Sequence, residues 1–444
     1  MAEQMKPSGI EWIKDIPSSW EINKVKYLAT ESGTLFLDGD WIESDVIEES
    51  GIRYLTTGNV GAGFYKEQGS GYISEKTFSE LHCLNVYPGD LMISRLNEPI
   101  GRACIIPDTE SHYVVAVDNV ILRPNANYNK KFIMYGMNTD GYAEHANMIA
   151  RGATMSRISR SQLGQFWLAF PNIDEQQAIA NYLDKECAQI DSIAADLEKQ
   201  IALLQQYKKS LITETVTKGL DKSVPMKDSG VACIGLVPMS WGYKKLGYMA
   251  DVTKLAGFEF TNYFEYVDDG VIAIRGLNLK NFDVSLADIQ YIPEKTSNML
   301  PRSQVHYNDV LVSYAGTVGS VGLITDTAKR YHLAPNVGKV TVFNELIPRY
   351  LAYYLISYTG QELIDQLKNK NAQESISMEN IRRIKILVPP QIEQQNICDY
   401  LDKKTDEIDT LIGAQQKKLE LMQAHKKSLI YEYVTGKKRV KEVR

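Results

Sequence analysis

The sequence predicts an α+β chain built twice: two mixed α/β globular regions, each followed by one long helix. The helices are expected to pair antiparallel as a coiled coil, giving a pseudo-twofold internal repeat. Three observations carry this. Residues 175–217 return at 393–435 with 21 of 43 positions identical at an offset of 218. SGIEWIKDIPSSW at 8–20 reappears more loosely as SGVACIGLVPMSW at 229–241. Apolar residues then recur every seven positions in both copies of the longer repeat, the signature of a coiled-coil seam.

The first globular region is read as 1–171. Its apolar runs RYLTTGNV, GDLMISR, GRACIIP and VDNVILRP have strand length and are bounded by Gly, Asn, Asp and Pro. A helix-like stretch, KKFIMYGMNTDGYAEHA, and a last strand, FWLAFP, close the region. The second, 229–389, repeats that order with VIAIRGLNL, NDVLVSY, GSVGLIT and NVGKVTVF, then PRYLAYYLISYTGQELIDQLK and IKILVPP. A polar segment with Gly and Pro, 218–228, reads as the linker, and the basic end 437–444 as a solvated tail.

The long helices are placed at 172–217 and 390–436. Asn172 or Asp174 can cap the first, with Glu175 or Gln177 three residues on. Its seam is Leu183, Ile190, Leu197, Leu204 and Leu211; that of the second is Leu401, Ile408, Gln415, Met422 and Leu429. Forty-three helical residues would extend about 65 Å, and a stripe that long needs an apolar partner. The other copy is the simplest partner, although each helix could instead lie on its own globular region. Gln415 interrupts the second stripe, as a polar contact or as a register device. Lys208, Lys209, Lys426 and Lys427 recur in both copies and read as charged helix faces.

Composition and missing motifs exclude much. The net charge is −6, so the chain lacks the broad basic surface of a non-specific DNA binder. Acids concentrate between Glu31 and Glu49, whereas 145–173 holds three arginines and no acid. No GxxxxGK[ST] loop, glycine-rich nucleotide fingerprint, HExxH pair or Asn/Asp-Pro-Pro-aromatic motif is present, so neither catalytic nor metal-binding residues are assigned. The five cysteines form no CxxC pair, and no apolar stretch is long enough to span a bilayer. A cytoplasmic binding module without its own cofactor is expected.

PNIDEQQAIANYLD at 171–184 and PPQIEQQNICDYLD at 389–402 each place EQ-x2-I-x3-L at the start of a long helix after proline. With IPSSW and VPMSW opening the globular halves, the chain resembles the specificity (S) subunit of type I restriction–modification systems. That resemblance implies two target-recognition domains, each reading half of a bipartite, asymmetric site in double-stranded DNA. The helices would set the unread spacer and dock two modification (methyltransferase) subunits, with restriction (translocase-nuclease) subunits on that core. S-adenosylmethionine, ATP and Mg2+ would be used by those partners. A coiled-coil scaffold without base readout, or a stand-alone methyltransferase or nuclease, are the alternatives.

Base reading in the major groove needs forked donors and amides, and backbone contact needs cations and hydroxyls. Loop positions near turn signals in the first region supply Thr57, Asn59, Arg95, Asn97 and Arg102, joined by Arg151, Thr154, Arg157 and Arg160. The second region supplies Arg275, Asn278, Lys280, Tyr314, Thr317, Asn336, Lys339 and Gln373. Arg95 aligns with Tyr314 and Asn59 with Asn278, which suggests a common working surface.

Overall fold

A computed structural model describes residues 4–69, 71–150, 156–280, 282–369 and 374–440; Arg151, Thr154 and Gln373 lie outside them. The chain divides into two compact units, Met1–Leu197 with Lys417–Arg444, and Glu198–Gln416. The division runs through both long helices, Ile173–Lys218 and Gln391–Val434, so each unit owns part of each helix. This differs from the sequence boundaries, which keep the helices whole. The reason is burial: each helix half shares a core with one globular region and with the facing half of the other helix.

In the first unit a four-stranded antiparallel sheet runs in the order Leu35–Asp38, Asn119–Arg123, Leu91–Ser94, Ala103–Ile105. A three-stranded sheet sets Ile52–Leu55 between Tyr72–Ile73 and a parallel partner, Tyr113–Val115. Glu21–Lys24 pairs with Trp167–Phe170, the strand that precedes the long helix. The central strands are apolar throughout because both faces are covered. Successive side chains point to opposite faces. Leu91, Ile93, Val120 and Leu122 therefore enter one core with Trp20, Phe132 and the long helices, while Met92 and Ile121 enter a second with Leu55 and Val115.

The second unit repeats the four-stranded sheet, while its mixed sheet gains a fourth strand, Gln304–Val305, beside Tyr331–Leu333. Ala250–Lys254, Val337–Val342, Val310–Ser313 and Val321–Leu323 form its four-stranded antiparallel sheet. Val271–Ile274 again lies beside a parallel strand, Tyr331–Leu333, and Gly242–Lys245 pairs with Lys385–Val388. The alternation persists, with Val310 and Val312 in one core and Leu311 in the other.

Within the first unit, Ile179, Leu183, Cys187 and Ile190 of the first long helix share a core with Leu429, Tyr433 and Val434 of the second. Within the second unit, Ile212 and Val216 join Ile397, Cys398 and Leu401. Six seam residues, Leu183, Ile190, Leu197, Leu401, Ile408 and Leu429, are buried; Leu204, Leu211, Gln415 and Met422 are half-buried. Asn172 supplies the first cap, its Oδ1 accepting from the Glu175 amide at 2.9 Å, while Asp174 lies inside the helix. The helix lysines have cross-helix partners. Lys426 Nζ meets Asp191 at 2.6 Å in the first unit, and Lys208 Nζ meets Asp409 at 2.6 Å in the second, 218 residues away on both sides. Gln415 Nε2 donates to Gln200 Oε1 at 3.2 Å, a polar contact across the same pair of helices.

The segment read as linker and the described part of the tail read as solvated both carry structure. Met226–Asp228, read as linker, is a strand paired with Leu236–Pro238, as Met5–Pro7 is with Asp15–Pro17. The second long helix ends at Val434, and Gly436 beyond it lies in the left-handed region, where a Cβ would also collide with Pro17. Beyond it, Lys437 Nζ donates to the Ile13 carbonyl at 2.9 Å and to that of Asp15, and Arg439 pairs with Glu175.

Candidate nucleic-acid interface

Two buried side chains explain why the helix-start motif survives in both copies. Gln176 accepts the Asn129 amide at 2.9 Å and donates to the carbonyls of Asn127 and Pro171 at 3.0 and 2.8 Å. Gln394 accepts from the Ile347 amide and donates to the Glu345 and Pro389 carbonyls, at 2.8, 3.0 and 3.0 Å. Two turns later, Asp184 accepts from the Tyr135 hydroxyl at 2.8 Å and pairs with Lys131, while Asp402 accepts from Tyr353 at 2.7 Å and pairs with Arg349. These bonds lock each globular region to its long helix. In sequence they were visible only as repeated letters.

A second duplicated set fixes the turns at the ends of the sheet strands. The side chain of Asn59, buried in a 3-10 turn, accepts from the Thr56 amide at 2.8 Å and donates to the Lys66 and Gln68 carbonyls. Asn278 does the same with the Arg275 amide and the Ser285 and Ala287 carbonyls. Ser94 and Ser313, both fully buried, end the matching central strands. The next residues, Arg95 and Tyr314, are placed alike. Their amides donate to the Asp118 and Asn336 carbonyls, and their carbonyls accept from the amides of Ile158 and Ile376.

On this shared frame the side chains diverge. The first unit carries an alternating chain of charges, Arg157–Asp118–Arg95–Asp38–Arg160. The contacts are 2.7, 3.9, 3.0 and 3.5 Å in that order. Arg95 is only 5% exposed, and its guanidinium donates to the Val117 and Ile158 carbonyls at 2.6 and 3.1 Å. Its contact with Asp38 is a close charge contact and not an aligned hydrogen bond. Burial lowers the Arg95 pKa, and the neighbouring Asp38 works against that. A cleft of about 550 Å³ opens beside Asp38 and Arg160, bordered also by Lys26 and Gln165. In the second unit the register places Lys254 at the Asp38 position, and Asn336, Ser375 and Met378 replace Asp118, Arg157 and Arg160. Lys254 Nζ there lies 4.9 Å above the Tyr314 ring.

The remaining candidates separate by what they touch. Arg102 is spent internally, donating to the Val60, Thr57 and Leu96 carbonyls at 2.7, 2.9 and 3.1 Å. Lys339 is buried, its Nζ 2.6 Å from the Gln304 carbonyl and 3.8 Å from Asp309. Arg275 is held by Asp288. Thr57 is half-buried, whereas Asn97, Lys280, Thr317 and Asn336 are exposed. Asn97 and Asn336 both adopt left-handed backbone, which asparagine tolerates. Asp38, Asp118 and Lys254 went unread in the sequence. The offset of 218 aligns Asp118 with Asn336 and could have found that pair; the strands bearing Asp38 and Lys254 have diverged too far.

Among the described residues no group of three or more His, Cys, Asp and Glu side chains could hold a metal ion. Burial pushes the thiols of Cys83 and Cys187 up to about 11, and those of Cys104 and Cys398 to about 12, away from nucleophilic thiolates. No helix is long and apolar enough to cross a membrane, among the described residues.

Comparison with known proteins agrees with this arrangement. Residues 241–421 match the type I restriction modification DNA specificity domain family. The chain is 25% identical over 299 residues to the type I restriction enzyme MjaVIII specificity subunit of Methanocaldococcus jannaschii, covering 66% of this chain and 67% of the relative. It is 23% identical over 285 residues to the EcoBI specificity subunit of Escherichia coli, covering 62% and 59%. In fold it resembles a chain from a structural study of assembly and conformational transition in the type I R-M system. There the TM-score is 0.73 at 14% identity, over 94% of this chain and 98% of that one. The HsdS subunit from Thermoanaerobacter tengcongensis shares the fold with a TM-score of 0.52 at 12% identity, over 95% and 98%.

Proposed function

We propose that this chain, which belongs with the type I restriction–modification specificity subunits, reads double-stranded DNA with both units, each taking one half of a bipartite, asymmetric site. One observation carries the reading. Equivalent strand ends, fixed by the same Asn side-chain and backbone contacts, set Asp118, Arg157 and Arg160 around a buried Arg95 in one unit and place Tyr314, Asn336, Ser375 and Met378 in the other. A frame held constant under diverging polar groups suits two readers of different sequences.

In this reading the long helices pair antiparallel as one coiled coil, hold the units at a fixed spacing and set the unread spacer. Their outward apolar residues recur at the repeat offset, Ile193 with Leu411 and Leu203 with Leu421, all exposed. Two like patches suit two copies of one partner, the modification subunits, with restriction subunits added to that core. S-adenosylmethionine, ATP and Mg2+ then act on those partners in the cytoplasm, and this chain contributes recognition.

The test is an exchange of residues 229–389 for the matching region of a relative, with methylated bases mapped by long-read sequencing in cells holding the complete system. One half of the methylated site should change and the other persist. An unchanged site would support a scaffold without base readout.

A further inference from the structure

The arginines at the rim of the first unit are already occupied. Arg157 lies 2.7 Å from Asp118 and Arg160 lies 3.5 Å from Asp38, with both arginine side chains between a third and a half exposed. Each aspartate has a second cation on its inner side, the buried Arg95, at 3.9 and 3.0 Å. Arg95 cannot leave, because two backbone carbonyls and burial hold it. The outer arginines can leave, because a half-exposed ion pair is worth about 1 kcal/mol or less and side-chain rotation breaks it. If they turn outward, both aspartates still keep a countercharge. Three cations and two anions thus form a chain whose ends are exchangeable and whose centre is not.

We propose that Arg157 and Arg160 are phosphate-contacting residues of the first unit, and that Asp118 and Asp38 hold them in reserve until the correct half-site engages. This rests on the reading that the first unit contacts DNA. A phosphate must compete with a carboxylate for each arginine, so backbone attraction alone gains little. Contacts to the correct bases bring the phosphate close enough to win. The second unit has no counterpart, with Asn336, Ser375 and Met378 at these positions, so the effect belongs to one half-site only.

The experiment uses the full chain in complex with its methyltransferase subunits. Its probes are two duplexes, one with the site mapped by methylation and one with the first half-site scrambled. Anisotropy titrations across a salt series give affinity and salt slope. Asp118→Asn and Asp38→Asn should each tighten the intact duplex about two- to fivefold, the worth of one exposed ion pair, with a smaller gain on the scrambled duplex. Arg157→Gln should weaken the intact duplex and reduce its salt slope by about one, with less effect on the scrambled duplex, and adding Asp118→Asn to it should change nothing further. Melting curves keep a folding defect apart from these effects, and Arg157→Gln, on an exposed side chain, serves if an aspartate variant unfolds. If the parent complex discriminates between the duplexes but Asp118→Asn fails to tighten the intact one, or Arg157→Gln leaves its slope unchanged, the proposal is overturned. If the parent does not discriminate, the reading of the first unit falls with it.

Discussion

Gln176 and Gln394 hold the same three backbone groups in two units of one chain, an amide and two carbonyls each, on helices that start 218 residues apart. Both side chains are almost wholly buried, so no water can replace what they supply. Gln176→Leu keeps the volume and strands one amide and two carbonyls. The expected cost is about 3 kcal/mol or more in the first unit alone. Hydrogen exchange reads it directly: the Asn129 amide should lose protection while the Ile347 amide keeps its own. Gln394→Leu should reverse the pattern, and equal loss at both amides would contradict independent anchoring.

The second unit buries a histidine. His332 is fully buried, with Nδ1 2.9 Å from the Leu333 carbonyl and Nε2 3.3 Å from that of Leu300. Burial is the largest influence and lowers its pKa below 6.5, with Lys339 adding to it and Glu259 opposing. Below pH 6.5 the unfolded chain therefore takes up a proton that the folded unit resists. Stability from this group is complete above 6.5 and declines as the solution is acidified. Thermal melts should show the second unit losing stability between pH 7 and pH 5, with that loss reduced in His332→Gln. An identical loss in the variant would assign the acid sensitivity elsewhere.

Lys437 closes the first unit from the far end of the sequence. Its ammonium donates to the Ile13 and Asp15 carbonyls, and Tyr431, just before it, donates to that of Trp12 at 3.1 Å. Charged donors to backbone carbonyls contribute about 1.5–3 kcal/mol. Lys437→Met should destabilise the first unit by about 2 kcal/mol and leave the second unchanged. Limited proteolysis before Trp20 should accelerate in the variant, and an unchanged rate would mean that the tail contributes nothing there.

What the sequence revealed follows from how each feature is encoded. The helices were legible because their seven-residue spacing is local and their copies agree at 21 of 43 positions. The equivalence of Asn59 with Asn278, and of Arg95 with Tyr314, was legible for the same reason. Their chemistry was not. Arg95 looks like a free fork in sequence, since nothing there shows that Asp38, 57 residues earlier, arrives at 3.0 Å from its Nε. Arg102 and Lys339 were misleading in the same way, because their carbonyl acceptors come from turns and strands up to 45 residues away. Long-range pairing decides which polar groups remain available, and sequence spacing does not record it.

Gln415 stands where the first copy has Leu197, and the two sites differ in burial accordingly: Leu197 is buried and Gln415 half-buried against Gln200. A leucine at 415 would bury additional apolar area and lose one exposed hydrogen bond, a net gain of about 0.5–1 kcal/mol for the second unit. A polar residue in a heptad stripe also penalises shifted registers, because only one alignment gives it a polar partner. Gln415→Leu should therefore raise the melting temperature of the second unit while loosening its helix register. A short bis-maleimide cross-link between Lys208→Cys and Asp409→Cys, which flank the 2.6 Å ion pair, reports that register. It should form as a single product with Gln415 and in lower yield with Leu. A single product at full yield in both backgrounds would leave Gln415 as a surface contact without a part in alignment.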